Sequence, residues 1–410
     1  MSKHKNSMMD GYEALDDYWA RTRIMPWQAV RVHFTAVIIS ILKLVVKPVR
    51  ALRGRSFNLL AHVEAPKQKI DVLGNKRQEE HGGYYMSEEE VANFANNGIH
   101  GPFRVLEKED AESLLTEATY LFENEFHKTS VLGDEILKTL KETGDYSNNY
   151  LSLFQGSRYR RLWDILVSRQ VAHPMESLLG DDVLCWRSQF FEKQPGQEGS
   201  FWHQTGTFRE SDKKPKLDSS VPRHPAIVQL NLWIALCDTD KEKACLRMLE
   251  GSFKDSRFER ITLNIQDDIF GFLLSLPYSE IVKTLKTDWY TMGNFKKAQL
   301  VYEHIQRKVP SVFEDIRIRD LEMKAGEAVI FTSLNTHASY SNSTSDKVRM
   351  ALSGRYTRPD VHIFKHESIT VLPTKGGGMP YDVSKEPAIP VSGSATHPNT
   401  DNNIAEYPPR

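Results

Sequence analysis

Apolar positions along this chain follow a helical period in the first half and shorten to strand-like runs in the second. Ser87-Glu88-Glu89-Glu90-Val91 has the form of a capping box, Ser87 with Glu90 three residues later, and Gly98 predicts where that helix stops. Gly101-Pro102-Phe103-Arg104-Val105 then reads as a first strand. Residues 109–145 keep a helical period, with Leu114, Leu115, Ala118, Leu121 and Phe122 on one face. From Val183 the texture changes. Val183–Phe191, Ala226–Ala235, Ala328–Phe331 and Met350–Tyr356 are short runs rich in β-branched and aromatic residues. Helices followed by such runs predict a mainly β protein of the α+β class, a β-sandwich flanked by helices. Residues 264–318, long, mixed and partly helical, interrupt the strands as a lid-like insertion or a plain surface excursion. The tail after Pro359, rich in Gly, Pro, Ser and Asn, reads as loop.

Residues 1–80 read as an N-terminal extension and residues 81–410 as the main domain, the one that carries the candidate chemistry below. Within the extension, Phe34 to Val46 is an apolar run followed by Lys47, Arg50, Arg53 and Arg55. The run is short for a bilayer span of about 20 residues, and Arg31, His33 and Lys43 interrupt any longer version. An apolar helix with a basic flank suits the membrane interface, which would give residues 27–55 a peripheral contact with a membrane. Docking on the protein's own core or on a second subunit is the other reading.

Composition narrows the class. The 410 residues can bury a substantial core, and 53 basic against 54 acidic residues leave a net charge of -1, so nothing global points to nucleic acid. Cys185, Cys237 and Cys245 form no CxxC pair, which argues for a reducing compartment and against a thiolate metal site. Met1 to Asp17 is polar and has no secretory pattern, so a cytoplasmic location is expected.

The chemistry gathers at Trp202-His203-Gln204-Thr205. Non-haem Fe(II) oxygenases hold their metal with a His-x-Asp or His-x-Glu pair and a distant His. His337, in Thr336-His337-Ala338-Ser339, is a suitable distant His, but the position of the acid is Thr205. Two His from different strands can share Fe(II), with 2-oxoglutarate chelating beside them. The remote carboxylate of that cosubstrate needs a buried cation, and the planar fork of Arg matches it with two hydrogen bonds. Arg349 and Arg355 follow His337, and their even spacing would place both on one face of a strand. A lone His on a strand is more often structural, and the chain has 14. It is the assembled order that carries weight.

That order resembles the phytanoyl-CoA dioxygenase family of Fe(II)/2-oxoglutarate enzymes, and within it the aliphatic chlorinating branch. The residues that carry the resemblance are Trp186-Arg187-Ser188-Gln189-Phe190-Phe191-Glu192-Lys193, Pro195-Gly196, Gly199-Ser200, Trp202 to Phe208, Trp233-Ile234-Ala235-Leu236 and Glu250-Gly251-Ser252. They continue with Val329-Ile330-Phe331, His337-Ala338-Ser339, Arg349-Met350, Arg355-Tyr356 and Val391-Ser392-Gly393, covering about residues 85 to 405. The resemblance implies a double-stranded β-helix (jelly-roll, cupin-like) core, His203 and His337 as iron ligands, and Fe(II), 2-oxoglutarate, chloride and O2 as the reacting set. It implies Arg349 at the remote carboxylate, helped by Ser200 and Trp233. Arg355 would sit in the hydrogen-bond network near the halide and the chelating end of the cosubstrate. Asn231 and Gln189 fall where that branch places Thr and Glu.

Thr205 is the departure that matters. The chlorinating branch has Ala or Gly there and hydroxylases have Asp or Glu. A neutral hydroxyl is a poor substitute for a carboxylate, whereas chloride supplies the missing charge. Glu210, the nearest downstream acid, lies seven residues from His203, too far to mimic His-x-Asp. The expected activity is therefore halogenation of an unactivated aliphatic C–H. A hydroxylase of an acyl or lipid substrate is the alternative, and a catalytically silent relative the third reading. The substrate would be a small molecule, acyl group or lipid, with tethering to a carrier protein as the branch suggests. Phe190, Phe191, Phe201 and Phe208 are candidates for an apolar pocket wall or for core.

Overall fold

A computed structural model describes residues 26–52, 83–143, 148–200, 202–205, 216–221, 227–255, 273–274, 276–286, 316–364, 369–374 and 377–409. The chain divides into two units, residues 1–58 with 268–292, and residues 59–267 with 293–410. Helix α1 (Pro26–Leu52) belongs to the first.

Helix α2 (Glu88–Asn97) opens the described part of the second unit, and its ends follow the sequence. Ser87 Oγ accepts from the Glu90 N–H at 3.2 Å, and the Glu90 carboxylate accepts from the Ser87 N–H at 2.8 Å. Gly98 stops the helix at φ 70°, a left-handed conformation that glycine adopts without penalty. Strand β1 (Ile99–Arg104) and helix α3 (Lys108–Asn124) follow, and α3 buries Ala111, Leu114, Ala118, Leu121 and Phe122. The helical run expected over 109–145 is broken: Glu125 leaves the helix at φ -124°, and separate helices cover Phe126–Thr129 and Asp134–Thr143. Helices α4 (Arg160–Leu166) and α5 (Arg169–Leu179) then lead into the sheet region.

The strands are β2 (Val183–Lys193), β3 (Leu217–Ser219), β4 (Leu230–Ala235), β5 (Leu246–Leu249), β6 (Ile318–Leu321), β7 (Glu327–Thr332), β8 (His337–Ser339), β9 (Arg349–Thr357), β10 (Val361–Ile363), β11 (Ile369–Thr374), β12 (Gly377–Asp382) and β13 (Ile389–Ser392). A six-stranded antiparallel sheet runs β1-β7-β4-β9-β2-β13, and a three-stranded one runs β6-β5-β8. Side chains alternate across the large sheet. On one face Leu230, Leu232, Ile234, Ile330, Met350 and Leu352 pack with Leu114, Phe122, Leu166 and Met175 of the helices. On the other, Trp233, Ala235, Val329, Phe331 and Ala351 pack against Leu246, Met248 and Leu321 of the small sheet. Two antiparallel sheets closed on a shared interior, with helices outside, form the double-stranded β-helix, cupin-like jelly-roll core.

Two expectations are corrected. The tail after Pro359 is not simply loop. It holds the strands β10 to β13, and β13 pairs with β2, Ile389 opposite Cys185. Phe190 is core rather than pocket wall: fully buried on the helix side, its ring lies 5.8 Å from that of Phe122 and 6.0 Å from that of Phe126. Its neighbour Phe191 points the other way and packs against the inter-sheet cluster.

In the first unit, α1 packs on α6 (Tyr278–Leu285), burying Val32, Ala36 and Ile39 on one helix and Ile281, Val282 and Leu285 on the other. His33 Nδ1 and the Tyr278 hydroxyl lie 3.1 Å apart, and Lys43 Nζ donates to the Leu276 carbonyl. Among the described residues no helix is long and apolar enough to cross a membrane. Most of the 264–318 stretch and residues 1–25 and 53–82 lie outside the described residues.

Candidate metal and cosubstrate site

The interior between the sheets is polar at one end, and there His203 and His337 face each other. Residue 203 forms an antiparallel bridge to β8, with His203 N–H donating to the His337 carbonyl and the reverse bond also made, each 2.9 Å. A mutually bonded antiparallel pair sends both side chains to the same face, and the imidazole centroids are 4.3 Å apart. The Asn335 carbonyl, 2.9 Å from His337 Nδ1, can only accept, so Nδ1 carries the hydrogen and Nε2 keeps its lone pair. Asn335 is itself pinned, donating through Nδ2 to the carbonyls of Asn97 and Gly98 at the end of α2. Burial, and then His203 beside it, holds His337 well below the ordinary imidazole pKa. The ring is therefore a neutral donor, as a metal requires.

Among the described residues no carboxylate joins them, and no group of three or more His, Cys, Asp or Glu converges on a point. Glu210, with Phe201 and Phe208, lies outside the described residues. Thr205 stands where the acid would be, its N–H donating to the Ser333 carbonyl at 2.9 Å. Asn231 Nδ2 donates to Thr205 Oγ1 at 3.1 Å, and Asn231 Oδ1 in turn accepts from Gln229 Nε2 at 3.0 Å.

Strand register gathers the rest. Asn231 of β4 lies opposite Arg355 of β9, and Arg355 lies opposite Arg187 of β2. Arg187 Nη2 donates to Gln189 Oε1 at 3.1 Å. Arg355 acts electrostatically on His337, helping to depress its pKa. Arg349, six residues earlier on the same face, is opposite Lys193. Its guanidinium carbon sits 5.4 Å from the Trp233 ring centroid and its Nη1 donates to the Phe191 carbonyl at 3.0 Å. Buried Arg349 Nε has no hydrogen-bond partner among the described residues.

Lys193 is the residue that the sequence reading quoted without assigning it a role. It is 6 % exposed, too buried for a solvent-facing lysine. Its Nζ donates to the Glu198 carbonyl at 2.6 Å and to Ser339 Oγ at 3.0 Å, and Ser339 Oγ also meets Ser200 Oγ at 3.1 Å and the Ser200 N–H at 3.0 Å. Burial and then the adjacent Arg349 push its pKa down to about 7. Two buried cations, a serine pair and an unpaired guanidinium nitrogen make a cradle for a carboxylate. The parity of Gln189, Phe191 and Lys193 along one strand was the signal available for it.

A model of the phytanoyl-CoA dioxygenase (PhyH) family matches residues 94–351, more than half of the chain. The chain belongs to that family. As a PhyH-family protein it is an oxidoreductase of the Fe(II)/2-oxoglutarate-dependent oxygenase kind. No curated protein sequence matches it. Among solved structures, CytC3 is similar at 22% identity, covering 80% of this chain and 98% of its own with a TM-score of 0.51. A structure of CytC3 with Fe(II) and alpha-ketoglutarate is similar at 21% identity, covering 79% of this chain and 95% of its own, TM-score 0.50. The non-heme monooxygenase ThoJ in its nickel complex is 16% identical over 78% of this chain and 87% of its own, TM-score 0.45. At these identities the likeness speaks to the PhyH-type fold alone.

Proposed function

We propose that this PhyH-family protein is an Fe(II)/2-oxoglutarate-dependent halogenase that replaces hydrogen on an unactivated aliphatic carbon. His203 and His337 would hold the iron, Arg349 with Lys193, Ser200 and Trp233 the remote carboxylate of 2-oxoglutarate, and Arg355 the chelating end. Bound iron and 2-oxoglutarate supply the oxidation of an unactivated C–H by O2. The balance is substrate C–H, chloride, a proton, O2 and 2-oxoglutarate giving C–Cl, succinate, CO2 and water.

One observation supports a halide at the position left without an acid. The Thr205 oxygen already accepts from Asn231, so its own hydrogen is left to donate. A hydroxyl able to donate, on the residue that replaces the acid, suits an anion, and chloride restores the charge that two neutral imidazoles leave unmatched. A donor would also bind water, which is the hydroxylase reading.

The test is anaerobic loading of the full chain with Fe(II) and 2-oxoglutarate, with and without chloride, then exposure to O2 with amino, acyl and lipid substrates and mass analysis. Halide-dependent turnover giving products with the chlorine isotope doublet supports the proposal. Oxygen-bearing products alone, formed equally without halide, overturn it in favour of the hydroxylase.

A further inference from the structure

Helix α1 is apolar on two opposite sides, and among the described residues one side is covered and the other exposed. Val32, Ala36 and Ile39 are buried, where α1 packs on α6. Phe34, Val37, Ile38, Ile41 and Leu44 are 66%, 45%, 39%, 58% and 79% exposed. Their spacing of i, i+3, i+4, i+7 and i+10 sets them in one stripe opposite the buried face, about 15 Å long at 1.5 Å per residue. Five large apolar side chains in a row on one face call for a partner.

Charge says which. Across its 27 residues the helix has no acid, and its C-terminal part and the sequence after it carry Lys47, Arg50, Arg53 and Arg55. An anionic lipid surface attracts them. The helix does not meet the length and apolarity of a span, which leaves an orientation in the plane of the interface. We propose that Phe34, Val37, Ile38, Ile41 and Leu44 insert into the headgroup layer of an anionic membrane, to which the basic sequence from Lys47 to Arg55 draws this end of the chain. The enzyme would thus be a peripheral membrane protein docked through the first unit, independently of the chemistry in the second.

The test is co-sedimentation of the full chain with vesicles of phosphatidylcholine alone and of phosphatidylcholine mixed with phosphatidylglycerol. Binding to the anionic vesicles, weakened by salt, is expected. It should fall about tenfold or more in an Ile41→Glu/Leu44→Glu variant, and Lys47→Glu/Arg50→Glu should remove the preference for anionic lipid. Fe(II) and 2-oxoglutarate binding, unchanged in both variants, shows that the catalytic unit is folded. No binding by the full chain, or equal binding by the Ile41→Glu/Leu44→Glu variant, overturns the proposal. So does a dimer in solution that this variant dissociates, which would make a second copy the occupant.

Discussion

Asn231 holds Thr205 by its hydroxyl oxygen, amide to oxygen at 3.1 Å, and so decides what that hydroxyl can offer to the interior. Gln229 fixes the amide in turn by donating to its carbonyl. With its oxygen engaged in this way, the Thr205 hydroxyl has its own hydrogen left to donate.

Removing the donor should therefore cost halide affinity and little else. A hydrogen bond to a charged group contributes roughly 1.5–3 kcal/mol, or roughly 10- to 100-fold in affinity. Thr205→Val is expected to raise the chloride concentration needed for turnover by about that factor, with 2-oxoglutarate affinity retained, and Thr205→Ser to keep the wild-type value. Thr205→Asp supplies a carboxylate and should abolish halide dependence. Chloride titration of 2-oxoglutarate consumption reads all three.

Arg349 has a buried Nε without a partner among the described residues and a guanidinium over Trp233, so its substitution should be felt by the cosubstrate first. Arg349→Met is expected to weaken 2-oxoglutarate binding by about 10- to 100-fold, measured calorimetrically under anaerobic conditions. Arg349→Lys should restore only part, because an ammonium lacks the two-pronged geometry.

Lys193 makes that binding depend on pH. In the free protein its pKa is pushed down to about 7 by burial and by Arg349, and only the charged form attracts a dianion. Affinity for 2-oxoglutarate should be greatest below pH 7 and fall as pH rises through it, a dependence that Lys193→Met removes. The stability effect has the opposite sign. Above pH 7 and up to the ordinary lysine pKa the unfolded chain binds more protons at this site than the native one, so the free protein gains stability as pH rises there. Thermal melts across that range check it.

Arg247 grips the segment that carries His203 from outside the site. Its guanidinium lies 4.8 Å from the Trp202 ring centroid and 4.6 Å from that of Tyr340, and the Tyr340 hydroxyl donates to Asp320. A cation over an aromatic face contributes about 0.5–2 kcal/mol. Arg247→Met should thus lower Fe(II) affinity by between about twofold and thirtyfold, with Arg247→Lys intermediate, as read by iron titration of the apoprotein.

Phe190 tests the opposite case. Fully buried among Phe122 and Phe126, it has no part in the interior face. Phe190→Ala should destabilise the fold by about 3–5 kcal/mol while 2-oxoglutarate affinity of the folded fraction is retained, as denaturant titration and calorimetry would show.

What could be read in the sequence was what is decided locally. The Ser87–Glu90 cap and its Gly98 stop need only their own few residues, and both are present. The even spacing of Arg349 and Arg355 sufficed to put them on one face once β9 formed. Lys193 was not legible as a partner of Arg349, because their adjacency comes from the register of β2 against β9 across more than a hundred residues. The same holds for β13, which looked like tail until it paired with β2. The Asn231–Thr205 bond likewise joins a strand to a loop that no local pattern connects.

Strand β9 places Met350 and Leu352 in the helix-side core and Arg349, Ser353 and Arg355 towards the interior. Inserting or deleting one residue between 349 and 355 would exchange the two sets, driving guanidinium groups into packed hydrocarbon. Point substitutions can tune this strand, but a change in its length cannot be absorbed. Variation in chain length has to accumulate in the connections between strands, so new substrates for this scaffold are a matter for its loops, while β9 keeps a fixed count.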